Sequence, residues 1–203
     1  MMRALLKDEQ GATVLEFAFI LLPMCVLLIG GLDLGYQSYA RTMMQAALND
    51  AARRATVENP QFSASGETTE AKIEAMIGEM VGHIAVDAEI NVTRQSYFEF
   101  SDVGNSEKLM TDHNDNGEYD EEDGDCWEDA NYNGQYDVDA GITGGGNAND
   151  VVFYSAAIAM PRLFPTDAFL PLPDTIEMTL ETAVRNQPYG NQGAPVIVCG
   201  EED

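Results

Sequence analysis

Residues 107–147 carry two copies of one pattern of oxygen-bearing side chains. The first copy reads Asp-His-Asn-Asp-Asn-Gly-Glu-Tyr-Asp from position 112, and the second reads Asp-Ala-Asn-Tyr-Asn-Gly-Gln-Tyr-Asp from position 129. Each copy has carboxylate or amide oxygens at its positions 1, 3, 5 and 9, and glycine at position 6. Oxygens at this spacing can wrap one hard cation, position 7 adds a backbone carbonyl, and the glycine permits the tight turn. The pattern therefore predicts two Ca2+ sites.

The numbering of the two loops gives the predicted ligands. In the first loop, position 12 is Asp123, where an EF-hand loop usually has a bidentate glutamate. In the second loop, position 12 is Ala140, so Asp139, Asp125 or Asp150 would have to complete the shell. The residues expected to bind the ions through side chains or position-7 carbonyls are Asp112, Asn114, Asn116, Glu118, Asp120 and Asp123 in the first loop, and Asp129, Asn131, Asn133, Gln135, Asp137 and Asp139 in the second.

The two loops are too close together for ordinary paired EF-hands. Only five residues separate them, which leaves no room for the two intervening helices. The arrangement resembles the compact calcium loops of dockerins or thrombospondin type 3 repeats, in which the ions organise chain that has little regular structure. Mg2+ fits less well because it demands octahedral geometry and resists dehydration. The alternative is an acidic solvated loop without an ion, which composition alone would favour.

The negative charge of the chain is concentrated in this acidic segment. The whole chain has 35 acidic and 10 basic side chains, a formal net charge of −25, and residues 107–150 contribute 14 of the carboxylates against one lysine. Nucleic-acid binding needs a basic surface, so we expect no nucleic-acid partner. An enzyme needs an acid or base with a partner inside a pocket. With two histidines and no supported Ser-His-Asp or Cys-His set, we expect no catalytic residues.

The cysteines and the aromatic residues of the acidic segment leave alternatives open. Three cysteines are too few for a disulfide framework, and Cys25 lies inside an apolar run. Cys126 and Cys199 could pair if the C-terminal part is exported to an oxidising compartment, and are free thiols otherwise. Trp127 and the tyrosines of the loops either pack over the ion sites, as we expect, or form a contact surface.

The N-terminal region predicts a membrane-spanning helix that continues into the exported part. Residues 17–32 carry no charge, and with their flanks they reach about 20 residues, the length that spans a bilayer. Because Arg3 and Lys7 precede this run, the positive-inside rule leaves the N-terminus in the cytoplasm and exports the chain after about Asp33. A cleavable secretory signal is the alternative, but helix-forming residues at helical spacing continue to Val57. We therefore predict one helix over residues 12–57.

Glu16 stands alone near the start of this apolar run. A carboxylate in hydrocarbon costs about 2.5–3.5 kcal/mol on insertion scales. The residues from Gly11 to Phe17 resemble the type IV prepilin processing site, which has glycine, four apolar or small residues, glutamate and an aromatic residue. The resemblance implies that a prepilin peptidase cuts after Gly11, that Ala12 becomes the first residue, and that Glu16 meets the α-amine of a neighbouring subunit. The alternative is a lone glutamate that snorkels or is protonated.

A longer part of the chain resembles the TadE/TadG-like pseudopilins of the tight-adherence pilus machinery. Gly31, Asp33, Gly35 and the pair Arg53-Arg54 occupy the glycine, acidic and paired-arginine places of that family. Residues 148–190 are similar to its closing strands, whereas the acidic segment is not part of the family pattern. The resemblance implies partners among other pilin or pseudopilin subunits and the inner-membrane platform of the pilus.

Together these features predict an α+β fold of pilin type with an irregular calcium-loop insertion. A second helix is expected at residues 69–85, and antiparallel strands at 88–100, 151–160 and 176–184. The predicted division is a leader at 1–11, the membrane and amphipathic helix at 12–57, the first part of a head at 58–106, the calcium-binding insertion at 107–147, and the second part of the head at 148–203.

The predicted function is assembly or operation of a tight-adherence pilus. The chain would be a single-pass protein of the bacterial inner membrane, with a head that is periplasmic or displayed on an extracellular pilus. The alternative is an uncleaved, signal-anchored envelope or surface protein that binds or adheres in a calcium-dependent way.

Overall fold

The computed structural model describes residues 10–62, 64–164 and 173–200. Its first element, helix α1 (Gln10–Ala55), changes surroundings half-way along its length. The side chains of residues 13–29 are exposed although nearly all are apolar, whereas the second half packs into the head at three- and four-residue spacing. The predicted continuous helix is confirmed, although it ends at Ala55 and not at the predicted Val57. The buried side chains of its second half are Ala40, Met44, Ala47, Leu48, Ala51 and Ala52.

Helix α2 (Thr69–Val81) packs against the second half of α1. The side chain of Thr68 caps its start by accepting the backbone N–H of Ala71 at 3.1 Å. The helix ends at Val81, earlier than the predicted Ala85, because Gly82 follows and the N–H groups of Ile84 and Ala85 both turn back onto the carbonyl of Val81. Its buried face consists of Ile73, Met76, Ile77 and Val81.

A four-stranded antiparallel sheet completes the head and confirms the predicted α+β class. Its strands are β1 (Glu89–Tyr97), β4 (Ile142–Thr143), β5 (Val151–Pro161) and β6 (Thr175–Arg185), in the order β4-β1-β5-β6. Alternate residues of β1, β5 and β6 face the helices, as the period of two in a strand requires. This inner face includes Val92, Val152, Tyr154, Ala156, Ile158, Met160 and Leu180.

The base of the head is joined to α1 where the apolar run ends. The guanidinium of Arg162 donates to the carboxylate of Asp33 at 2.6 Å, and the hydroxyl of Tyr36 donates to the carbonyl of Ile84 at 2.8 Å. Strands β1 and β5 are antiparallel, and the start of β1 and the end of β5 both lie at this base. The long insertion between β1 and β5 therefore leaves from the opposite end, far from the exposed apolar half of α1.

The acidic segment forms a second, three-stranded antiparallel sheet with the C-terminal part of the chain. Strands β2 (Lys108–Thr111) and β3 (Cys126–Asp129) come from the acidic segment, and β7 (Val196–Cys199) pairs with β3. Cys126 and Cys199 lie opposite each other and form a disulfide bond. We call residues 107–140 together with 194–200 the lobe. The sequence division placed residues 196–199 in the second part of the head; in the structure they pair with β3 of the acidic segment.

Removing the disulfide is expected to destabilise the lobe. The bridge joins positions 73 residues apart, and a bridge over a loop of this length contributes about 2–4 kcal/mol by restricting the unfolded chain. The double substitution Cys126→Ser with Cys199→Ser should therefore lower the urea midpoint of the lobe. Trp127, the one tryptophan of the chain, lies next to Cys126 and provides the fluorescence signal.

Cys25→Ser is the matched control, because this thiol is exposed on the apolar half of α1. It should leave the midpoint unchanged. An unchanged midpoint in the double variant as well would show that the bridge does not hold the lobe.

Candidate metal-binding site

The first predicted loop makes a tight turn inside a set of hydrogen bonds from backbone to side chain. The carboxylate of Asp112 accepts the N–H groups of Asn116 at 3.3 Å and Gly117 at 2.7 Å. The amide oxygen of Asn114 accepts the N–H of Asn116 at 2.9 Å, and that of Asn116 accepts the N–H of Glu118 at 2.7 Å. Gly117 has φ of +81°, a left-handed conformation that glycine adopts without strain.

The second predicted loop repeats these bonds position by position. The carboxylate of Asp129 accepts the N–H groups of Asn133 at 3.2 Å and Gly134 at 2.8 Å. The amide oxygen of Asn131 accepts from Asn133 at 3.0 Å, and that of Asn133 accepts from Gln135 at 2.7 Å. The two copies of the sequence pattern thus fold into two loops with the same set of hydrogen bonds from backbone to side chain.

The structure brings together part of each predicted ligand set. In the second loop, the side-chain amides of Asn131 and Asn133 converge on one oxygen of Asp137, at 2.6 Å and 2.7 Å. In the first loop, the side-chain amide of Asn114 donates to the carboxylate of Asp123. Positions 3, 5 and 9 of the second loop, and positions 3 and 12 of the first, are therefore in direct side-chain contact.

Carboxylates alone do not form a metal site in the described part of the chain. Within residues 10–62, 64–164 and 173–200, no three acidic, histidine or cysteine side chains are grouped so that they could hold an ion. Besides carboxylates, the predicted ligand sets contain asparagine side-chain oxygens and backbone carbonyl oxygens. These are suitable ligands for the hard Ca2+ ion, which takes six to eight oxygens.

The carboxylates expected to complete the second loop have other partners. Asp139 accepts the N–H of Gly141 at 3.1 Å. Asp150 lies outside the lobe and accepts the N–H of Asn147 at 2.6 Å. Asp125 lies at the first loop and not at the second, because β3 runs between Asp125 and the start of the second loop.

In each loop, one buried carboxylate bonds to the backbone of positions 2 and 9 and so holds the two ends of the loop together. We call this place the neck of the loop. Asp125, with no exposed surface, accepts the N–H groups of His113 at 2.8 Å and Asp120 at 3.0 Å, which are positions 2 and 9 of the first loop. Glu107, only 2% exposed, accepts the N–H groups at the same positions of the second loop. These donors are Ala130 at 2.9 Å and Asp137 at 3.1 Å.

Sequence reasoning missed this role of Glu107 and Asp125, although a signal for it exists. Each loop follows a carboxylate and a short β-strand in the chain. Glu107 and β2 come before Asp112 of the first loop, and Asp125 and β3 lead to Asp129 of the second. The repeated unit is therefore carboxylate, strand and loop, longer than the loop alone. A bulge between Leu109 and Thr111 accounts for the one extra residue in the first copy.

The two neck carboxylates have different electrostatic surroundings. The N–H of His113 lowers the pKa of Asp125 below its ordinary value, against the opposing effect of burial. Burial raises the pKa of Glu107 above its ordinary value, and the nearby carboxylates of Asp129 and Asp137 raise it further against the two N–H bonds. The carboxylate of the second neck is thus the one that is repelled by neighbouring carboxylates.

Three of the four aromatic residues in the acidic segment pack together between the loops. The rings of Tyr119 and Tyr136, at position 8 of the two loops, stack with centroids 4.3 Å apart. Trp127 is buried against Tyr119 in an edge-on contact at 5.0 Å. Tyr132 is 55% exposed and its hydroxyl donates to the carbonyl of Ala194. The arrangement is a small core for the lobe, with Tyr132 outside it.

The second candidate site lies at the start of α1. Gly11 and Ala12 belong to this helix, and Glu16 and Phe17 are exposed on its apolar half. Residues 1–9 of the predicted leader lie outside the described residues. The helix has one stretch with mean hydropathy 2.3, none of it buried, and is long and apolar enough to cross a membrane.

A comparison with known protein families gives a match that falls on this helix. No curated protein and no solved structure matches the chain. Residues 11–53 match the family model described as TadE-like protein. The matched region begins at the predicted processing glycine and ends within the half of α1 that packs into the head. It supports the TadE-like character of this N-terminal region of a membrane-anchored chain.

Proposed function

We propose that the chain is a minor pilin or pseudopilin that acts in assembly or operation of a tight-adherence pilus. The observation that carries this proposal is the position of Gly11 and Glu16 at the start of a single helix that is exposed and apolar in one half and buried in a head in the other. The TadE-like match over residues 11–53 supports it. The proposed role is structural, and no catalytic residue is part of it.

In this proposal the leader is removed after Gly11 by a prepilin peptidase. Ala12 then supplies the new α-amine, and Glu16 lies about one helical turn away from it along the axis. The carboxylate and an amine from a neighbouring subunit neutralise each other in hydrocarbon, so the charge is tolerated only in an assembly. The partners are other pilin or pseudopilin subunits and the inner-membrane platform, and the head faces the periplasm or an extracellular pilus.

Two Ca2+ ions are proposed to stabilise the lobe. The shared geometry of the two loops supports this, since both present alternating side-chain oxygens around a glycine turn. The carboxylates of residues 107–150 outnumber the basic side chains 14 to one, and such a segment expands by self-repulsion unless cations neutralise it. Millimolar extracellular calcium would fill even weak sites.

The position of the lobe favours a second candidate function. It lies at the end of the head away from the apolar half of α1, where a partner outside the cell could reach it. An uncleaved, signal-anchored adhesion protein with a calcium-dependent binding lobe would use the same fold. Processing at Gly11 separates the two candidates.

The mature N-terminus should be Ala12. Mass spectrometry of the protein extracted from its native membrane is expected to give a chain that lacks residues 1–11, and Gly11→Leu should block this cleavage. A wild-type chain that retains the leader would favour the signal-anchored adhesion protein.

Glu16→Gln should leave cleavage intact and reduce assembly. The amide keeps the shape of the side chain but cannot neutralise an amine, so cross-linking to neighbouring subunits is expected to fall strongly while the mass still shows a chain starting at Ala12. Cross-linking equal to wild type would contradict the assembly role.

Calcium should raise the unfolding temperature of the lobe. A ligand that binds only the folded state at a hundredfold excess over its Kd contributes about 2.7 kcal/mol. The fluorescence of Trp127 measured in millimolar CaCl2 and in EGTA reports this shift. Asp112→Asn, which alters position 1 of the first loop, should diminish it.

Asp115→Asn is the matched control for this measurement. It removes the same charge from the same loop, at position 4, and asparagine tolerates its φ of +55°. It should leave the calcium shift unchanged. An equal reduction of the calcium-dependent temperature shift in the two variants would mean that calcium only screens charge. The absence of a shift in the wild type would contradict calcium binding.

A further inference from the structure

We propose that Glu107 and Asp125 are positioning residues that couple the two loops, so that the lobe opens and closes as one unit. The inference deepens the proposed function, because the ion sites rest on these loops. It concerns the folding of the lobe itself and holds with or without an ion.

The order of the chain makes the coupling reciprocal. Glu107 closes the second loop, and β2 leads from it directly to Asp112, the first residue of the first loop. Asp125 closes the first loop, and β3 leads from it to Asp129, the first residue of the second loop. Because β2 and β3 pair antiparallel, Glu107 lies at the same end of the strand pair as Asp129, where the second loop begins. Asp125 lies at the other end, where the first loop begins.

Because each neck carboxylate is buried, its two hydrogen bonds to the loop should form and break together. Both carboxylates are almost completely shielded from water, and both of their oxygens are occupied by backbone N–H groups. An open neck would leave a buried charge without donors, which is strongly unfavourable. The carboxylate must then move to water, and the strand that begins beside it must separate from its partner.

The aromatic core provides a second connection between the loops. Tyr119 directly precedes Asp120, whose N–H bonds to the first neck carboxylate, and Tyr136 directly precedes Asp137, whose N–H bonds to the second. The two rings stack on each other and contact Trp127. Opening one neck therefore withdraws the ring on which the other loop is packed.

Hydrogen exchange of the full chain in nanodiscs, read by mass spectrometry, tests the coupling. Glu107→Gln keeps the size of the side chain but replaces one acceptor with a donor. Exchange should accelerate by about tenfold or more at residues 130–137, which Glu107 holds, and also at residues 113–120, which it does not touch. Asp125→Asn should give the same two-loop response. Glu121→Gln, which alters an exposed carboxylate of the lobe, should change neither loop.

A second pair of variants covers the case in which a neck substitution unfolds the lobe. Tyr136→Ala removes the stacked ring from the second loop and should accelerate exchange at 113–120 in the first. Tyr132→Ala removes an exposed ring from the same loop and should leave 113–120 unchanged. Acceleration confined to the substituted loop, in either series, would overturn the coupling.

Repeating the measurements in EGTA and in CaCl2 separates this inference from the calcium proposal. If calcium changes exchange nowhere but Glu107→Gln still opens both loops, the coupling holds and the calcium proposal fails. If calcium slows exchange in both loops but Tyr136→Ala acts only on its own loop, calcium binding holds and the coupling fails.

Discussion

The structure depends on one helix that must satisfy two different surroundings. The first half of α1 exposes an apolar surface that is stable only in lipid or against other apolar helices, while the second half buries small side chains against the head. Alanines at Ala40, Ala47, Ala51 and Ala52 let α2 and the sheet approach the helix closely. The contact between Asp33 and Arg162 marks the change from one environment to the other and joins the base of the head to the helix.

The lobe is built on different principles from the head. It has few apolar side chains, and its small core consists mainly of Trp127, Tyr119 and Tyr136. Its remaining order comes from a disulfide, from side chains that accept backbone N–H groups within the loops, and from two buried carboxylates. A buried carboxylate is strongly unfavourable unless its oxygens have hydrogen-bond donors. This explains why Glu107 and Asp125 each use both oxygens.

Local patterns in the sequence predicted the elements that depend on local physics. Periodicity located α1, α2 and the three long strands, because each buries one face, and the spacing of Asp, Asn and Gly located two loops that fold alike. Contacts between distant residues could not be read in this way. Glu107 bonds to residues 23 and 30 positions away, and β7 reaches back to β3. The longer repeat of carboxylate, strand and loop is the sequence signal for Glu107 and Asp125, but it can be recognised only once their hydrogen bonds are known.

Protease accessibility in spheroplasts tests the proposal that one N-terminal helix anchors an exported head. Protease added outside intact spheroplasts should digest the head, while a fragment that retains Cys25 stays in the membrane and can be labelled there with a thiol reagent. A head that resists digestion until the membrane is lysed would rule out export, because the folded domain would then lie on the cytoplasmic side.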